Sequence, residues 1–293
     1  MNKITLNNGV SIPQLGFGTA AIGGWQQDDD YVKNVILRAI KSGYRHIDTA
    51  SIYGNERSVG RAIKESGVAR DEFFVTSKVF DSDQGAEATI SAFENTLRRL
   101  AMDYLDLYII HWPIPEKTQA TWQAMERLYE RNRIRALGLS NFRQSDIEQI
   151  LGFAKVKPAY NQIELHPYLR QKELTEYCEG QGIAVACWSP LGTGTWTSVP
   201  VDEKPVSDKT IGEIAKKYSV STAQVILKWN VQQNRIVIPK AESPNNMCNN
   251  FLLDGFELTA EDIATIDGLN RNQRFGPDQD TAHEANKQMV VPE

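Results

Sequence analysis

A chain of 293 residues, 41% hydrophobic and 24% charged, has the apolar content for a packed core and the length of one barrel or two ordinary domains. Its formal net charge of −5 comes with scattered rather than clustered basic residues, which argues against nucleic acid or an anionic membrane as partner. Three cysteines, Cys178, Cys187 and Cys248, are an odd count without metal-type spacing, so neither a disulfide framework nor a metal site is expected, and a reducing cytoplasm is the expected location.

The opening MNKITLNNGVSIP lacks the apolar centre of a signal peptide, and no later apolar run approaches the ~18 residues of a spanning helix. Within it, LNNGVSIP predicts a tight hairpin, with Asn8-Gly9 supplying the positive φ angles of the turn. Short apolar runs then recur at 15–18, 46–49, 73–79, 104–112, 134–140, 159–165, 183–188 and 236–239. Between them, apolar residues at three- and four-residue spacing predict helices such as Asp30–Lys41, Ala86–Leu100, Gln119–Glu130, Ser145–Phe153 and Thr222–Val231.

Eight strands alternating with helices imply parallel pairing through right-handed crossovers. The length suits a closed (β/α)8 TIM barrel preceded by a β-hairpin. A doubly wound sheet is the competitor, but Gly16-Phe17-Gly18 runs on into the loop-like IGGWQQDDD instead of a helix, and the Rossmann reading is rejected. Two segments break the rhythm, 189–207 and the tail after Asn270. Both read as long βα-loop excursions over the C-terminal rim, where loops tend to carry function. The expectation is a single domain over residues 1–293, with 270–293 as a mobile flap suited to covering the pocket.

In a parallel barrel the active site lies where strands end and βα-loops begin. Asp48 ends one strand and Tyr53 follows it in IDTASIYGNE, Lys78 lies near the end of the next in VTSKV, and His111 ends the third in LYIIHWP. Singly, each has an ordinary explanation: a packed tyrosine, a surface ion pair, a satisfied turn histidine. Together, on consecutive strands, they suit proton donation. A phenol of pKa about 10 is a poor acid at neutral pH, a nearby ammonium lowers that value, and a carboxylate holds the ammonium charged and in place. A neutral histidine then orients a carbonyl, so the set suits protonation of an oxyanion as hydride arrives at carbon.

These motifs resemble the aldo-keto reductase superfamily along nearly the whole chain, from LNNGVSIPQLGFGT through GYRHIDTASIYGNE, DLYIIHWP, GLSNF, NQIELHP and WSPLG to VIPK. The likeness is closest to the bacterial diketogluconate-reductase-like branch. It implies NAD(P)H-dependent reduction of aldehydes, ketones or dicarbonyls to alcohols, with Asp48, Tyr53, Lys78 and His111 as catalytic tetrad and Tyr53 as general acid. It further implies that Ser140, Asn141 and Gln162 hydrogen-bond the nicotinamide carboxamide and that Trp188 stacks beneath the ring. Ser189, Leu191 and Gly192 would line the pyrophosphate and ribose path, and Gly18, Thr19 and Ala20 the nicotinamide side. The competing explanations are a helix cap for Ser140 or Asn141 and core packing for Trp188.

The sequence departs from the family pattern in IPKAESPNNMCNNF. Lys240 is present, but Ala241 replaces the usual hydroxyl, Glu242 adds a carboxylate, and Asn246 stands where the family's phosphate-binding arginine is expected. An asparagine cannot reproduce the planar fork of arginine, and a carboxylate repels a phosphate while accepting a hydrogen bond from a free ribose hydroxyl. NADPH is the family default, and Glu242 with Asn246 shifts the expectation towards NADH alongside or ahead of it; Asn249 and Asn250 would face the adenine. Ala20 replaces a bulky aromatic, with Trp25 available to fill the gap, and Trp25, Phe80, Trp112 and Trp196, together with His111, are the candidate substrate walls. The expected partner is a small-molecule carbonyl, and the family default is a monomer or weak dimer. A Schiff-base role for Lys78 is disfavoured because Asp48 would raise its pKa, and a non-catalytic cofactor sensor is disfavoured by the intact tetrad.

Overall fold

The computed structural model describes residues 2–25, 28–194 and 197–292. Strands β1 (Lys3–Thr5) and β2 (Ser11–Pro13) pair antiparallel with Ile4 opposite Ile12. Their connection is longer than the tight turn expected: Leu6 N–H donates to Val10 O at 2.8 Å, and of Asn8-Gly9 only Gly9 has a positive φ, +85°. The Asn8 side chain supplies the difference, because its Oδ1 accepts from Val10 N–H at 3.2 Å and closes the loop without a left-handed residue there.

Eight strands follow: β3 (Gly16–Gly18), β4 (His46–Asp48), β5 (Phe74–Val79), β6 (Leu105–Ile110), β7 (Ile134–Ser140), β8 (Tyr160–Glu164), β9 (Ala184–Trp188) and β10 (Ile236–Ile238). Each pairs parallel with its sequence neighbour. The first and last are joined by a parallel bridge between Leu15 and Val237 and by Gly18 N–H to Pro239 O at 3.1 Å. The eight-stranded α/β barrel expected from the alternation is therefore present.

The helices are α1 (Asp29–Lys41), α2 (Glu56–Glu65), α3 (Ala86–Leu100), α4 (Pro115–Glu130), α5 (Gln144–Leu151), α6 (Lys172–Gly180), α7 (Lys209–Tyr218), α8 (Thr222–Gln232), α9 (Pro244–Phe251), α10 (Ala260–Asp267) and α11 (Gln279–Asn286). Helix α1 shows the local logic. Asp28 caps it by accepting from Tyr31 N–H, Asp29 and Asp30 face the positive end, and Arg38 and Lys41 the negative end. Its buried residues Val32, Val35, Ile36, Ala39 and Ile40 form one stripe against the sheet. None of the described helices is long and apolar enough to cross a membrane.

Alternation along the strands divides the core. Leu107 and Ile109 point into the barrel and pack with Phe74, Ala159, Ile236 and the hairpin residues Ile4, Leu6 and Ile12, so β1 and β2 close its base. Tyr108 and Ile110 point outward into the larger layer under the helices. With the base filled, the strands' C-terminal ends are left to carry Asp48, Lys78, Ser140, Gln162, Glu164 and Trp188 at one rim.

The tail after Asn270 is tied to the barrel at several points. Arg271 and Gln273 N–H groups both donate to Tyr168 O, Arg143 pairs with Asp280 at 2.8 Å, and Asn286 Nδ2 donates to Asp81 Oδ2 at 2.9 Å. Burial pushes the Asp81 carboxyl up to about 6. Val291 then packs on Ala50, Ile52 and Phe80 beside Tyr53.

Candidate active site

At the rim lies a cavity of about 450 Å³. Its polar floor is built from adjacent strands. Lys78 comes from β5, fully buried, and its Nζ donates to Asp48 Oδ1 of β4 at 2.5 Å, to Thr49 O at 2.8 Å and to the Tyr53 hydroxyl at 3.3 Å. Tyr53 ends a short 3-10 turn, Ser51–Tyr53, whose C-cap Gly54 is left-handed at φ 68°. Asp48 Oδ2 accepts from Gln162 Nε2 at 2.8 Å, which carries the network across to β8. All three lysine donors thus have acceptors, as a buried ammonium requires.

Burial disfavours the charge on Lys78, but Asp48 and Tyr53 together hold its pKa above the ordinary value. A Schiff-base lysine needs the opposite shift, so the geometry agrees with setting the aldolase reading aside. Burial raises the Tyr53 phenol above its ordinary value; Lys78 lowers it, in the direction expected, but offsets only part of that rise. The phenol is therefore protonated at neutral pH, the state a proton donor must have.

His111 follows β6, and its ring stands edge-on to Tyr53 with centroids 5.7 Å apart. Burial, and secondarily the Lys78 charge, holds its pKa well below the ordinary imidazole value. Its buried Nδ1 has no hydrogen-bond partner, so a proton placed there would be stranded away from water. The imidazole is neutral across the physiological range.

The remaining expected residues divide into those at the cavity and those beside it. Gly18, Thr19, Ala20, Ser140, Asn141, Gln162, Trp188, Ser189, Leu191 and Lys240 line it, as do Trp25, Phe80, His111 and Trp112. Trp196 lies outside the described residues. Gly192, Ala241, Glu242, Asn246, Asn249 and Asn250 are off the lining. On α9, Asn249 is exposed and Asn250 is buried, as neighbours about 100° apart on a helix do not share one face. Neither Ser140 nor Asn141 acts as a helix cap; Asn141 Nδ2 donates to His111 O at 3.0 Å and to Ser140 Oγ at 3.1 Å, and its Oδ1 accepts from Trp188 Nε1 at 2.8 Å. An indole face beside polar strand ends is a donor and stacking set that fits a nicotinamide.

Glu242 is half-buried and tied to three donors. Its Oε2 accepts from the Tyr31 hydroxyl at 2.9 Å and Gly23 N–H at 3.2 Å, and its Oε1 lies 3.1 Å from Lys240 Nζ. Burial opposes its ionisation, but these donors outweigh that and hold its carboxyl below the usual value. Lys240 Nζ also donates to Ala21 O at 3.2 Å. Sequence reading missed Ile52, Pro277, Asn286 and Met289 on the lining, and Tyr160, whose hydroxyl accepts from Gln162 at 3.0 Å. The tail residues carry no catalytic side-chain type, and only the long stretch after Asn270 hinted at them.

The neutrality of His111 has a direct check. Nuclear magnetic resonance of the ring nitrogens should show no His111 titration between about pH 5 and 8; a transition near the ordinary histidine value would contradict the burial argument.

The chain and its barrel resemble known proteins. The model of the Aldo/keto reductase family matches residues 14–271. Glyoxal reductase of Bacillus subtilis (strain 168) is 46% identical over 279 residues, covering 95% of this chain and 96% of that protein. A crystal structure of an aldo-keto reductase enzyme from a Medee basin deep-sea metagenome library superposes with a TM-score of 0.89 at 36% identity, covering 94% of this chain and 98% of that one. The Bombyx mori aldo-keto reductase in complex with NADP does so with a TM-score of 0.84 at 34% identity, over 93% and 94%.

Proposed function

Because the chain belongs to the aldo/keto reductase family, and so is an NAD(P)-dependent oxidoreductase acting on carbonyl compounds, we propose that Tyr53 is the general acid of that reduction. The observation that carries the reading is the Asp48–Lys78–Tyr53 chain, at 2.5 and 3.3 Å, opening on the cavity beside a neutral His111. A reduced nicotinamide, when bound, supplies the hydride. Ser140, Asn141 and Gln162 would hold its carboxamide and Trp188 its ring face. The neutral His111 ring positions the substrate oxygen, and Tyr53 Oη gives that oxygen its proton. Lys78 then stands against the oxygen of the phenolate formed, and Asp48 keeps Lys78 in place for it. Trp25, Phe80 and Trp112 form an aromatic wall suited to the body of an aldehyde, ketone or dicarbonyl. In this reading the C-terminal segment, with Asn286 and Met289 on the cavity lining, serves as its cover within one domain.

The cofactor reading rests on Glu242. Its carboxylate, held by Tyr31, Gly23 and Lys240, neutralises the lysine that would meet a phosphate and offers an acceptor to a free ribose hydroxyl. Asn246 is exposed on α9 and brings no compensating charge. NADH is thus used alongside NADPH or ahead of it.

Two measurements follow. Tyr53→Phe should lower kcat for reduction by about 10²–10⁴-fold while leaving cofactor affinity nearly unchanged; activity within about tenfold of native would remove Tyr53 from the role. For the cofactor, kcat/KM with NADH should at least match that with NADPH, and Glu242→Gln should shift the ratio about tenfold towards NADPH. A native preference for NADPH of about a hundredfold, worth some 2.7 kcal/mol, would overturn the reading.

A further inference from the structure

The motif NQIELHP contributes Gln162 to the site, but its glutamate has no part in the chemistry above. Glu164 ends β8 and is fully buried, an expensive position for a carboxylate unless several donors surround it. Here they come from the C-terminal segment. Phe275 N–H donates to Oε1 at 2.7 Å and Gly276 N–H at 3.1 Å, while Arg274 Nη1 donates to Oε2 at 3.0 Å. His166 Nε2 lies 3.1 Å from Oε1, and its ring packs on Phe275 with centroids 4.9 Å apart. Two consecutive peptide N–H groups on one carboxylate fix the rotation as well as the position of the segment.

What that segment touches gives the anchor its meaning. Glu164 is the register partner of Trp188 across β8 and β9. Gly276 lies so close to the indole that a Cβ there would run into Cη2 of Trp188. Phe275 supports the neighbouring loop, since a Cβ on Gly192 would meet its Cε2 at 3.0 Å. On its other edge the indole donates from Nε1 to Asn141 Oδ1 at 2.8 Å. Trp188 is therefore held between a side-chain hydrogen bond and a stretch of backbone whose place is set by Glu164.

We propose that Glu164 is a positioning residue for cofactor binding: it clamps the backbone of Phe275 and Gly276 behind Trp188 and so sets the plane of the indole. The proposal rests on the reading of Trp188 as the nicotinamide platform. Because Glu164 acts through Trp188 and not on the reacting atoms, its loss weakens cofactor binding more than it slows the chemical step. An amide in its place turns an NH2 group towards Arg274 or a peptide N–H, and the clamp loosens. A methyl group on Gly276 displaces the indole directly, with the carboxylate intact.

The experiment measures NADPH and NADH affinity by tryptophan quenching, kcat for a dicarbonyl such as phenylglyoxal at saturating cofactor, and thermal midpoints. It uses full-length Glu164→Gln, Gly276→Ala and Trp188→Leu. The expected result is a Kd raised about tenfold in the first two variants, with kcat kept within about threefold of native. If Trp188→Leu weakens binding while both other variants bind as native, the positioning role is overturned. The same holds if affinity and kcat fall equally together with the thermal midpoint, the signature of general loosening. If Trp188→Leu itself binds as native, the platform reading fails and this proposal with it. Should Glu164→Gln not fold, Gly276→Ala decides by the same criteria.

Discussion

A lysine and an aspartate sealed together at the end of a barrel are the constraint around which the site is arranged. The Lys78 and Asp48 side chains are 0% and 4% exposed, and neither ion is tolerable there alone. Removing one partner from such a pair typically costs about 3–5 kcal/mol, more than most single contacts contribute. The barrel supplies what the pair needs. Thr49 O takes a second lysine donor, the Tyr53 hydroxyl a third, and Gln162 satisfies the far carboxylate oxygen. Three strands are thereby committed to one geometry, and Tyr53 is placed in a low-dielectric corner beside a fixed positive charge. That charge does not make the free phenol acidic, since burial dominates. In the proposed reduction it stands against the phenolate left once the proton has gone.

Electrostatics of the opposite sense governs the other end of the cavity. Lys240 reaches it with Glu242 beside it, and Gly23 from the loop after β3 and Tyr31 from α1 hold that glutamate. The same carboxylate thus ties the segment after β10 to the loop after β3 and to α1, and offsets the Lys240 charge at that end of the cavity.

The strand and helix pattern was legible because buried parallel strands read as short continuous apolar runs, with amphipathic stripes between them. All eight barrel strands lie where those runs fall. The candidate site residues could be picked out because the fold puts strand ends at one rim. Interactions between distant segments were not. Nothing near Glu242 in the chain reveals Tyr31, 211 positions away, and nothing near Glu164 reveals Phe275, 111 positions away. The net direction of the Tyr53 shift also depended on burial, which a motif does not encode. At Asn8 the reading failed for a local reason: a side-chain hydrogen bond replaced a backbone conformation.

The central claim is that a buried phenol, not the histidine beside it, delivers the proton. The pH dependence of the single-turnover reduction rate, with reduced cofactor already bound, tests it most directly. Reduction consumes the protonated phenol, and burial raises the Tyr53 pKa above its ordinary value, so the protonated fraction is lost only as pH climbs through the alkaline range. The rate should stay level through neutral pH and fall only above it. A fall centred between about pH 6 and 7 would mark an imidazolium donor and contradict the account.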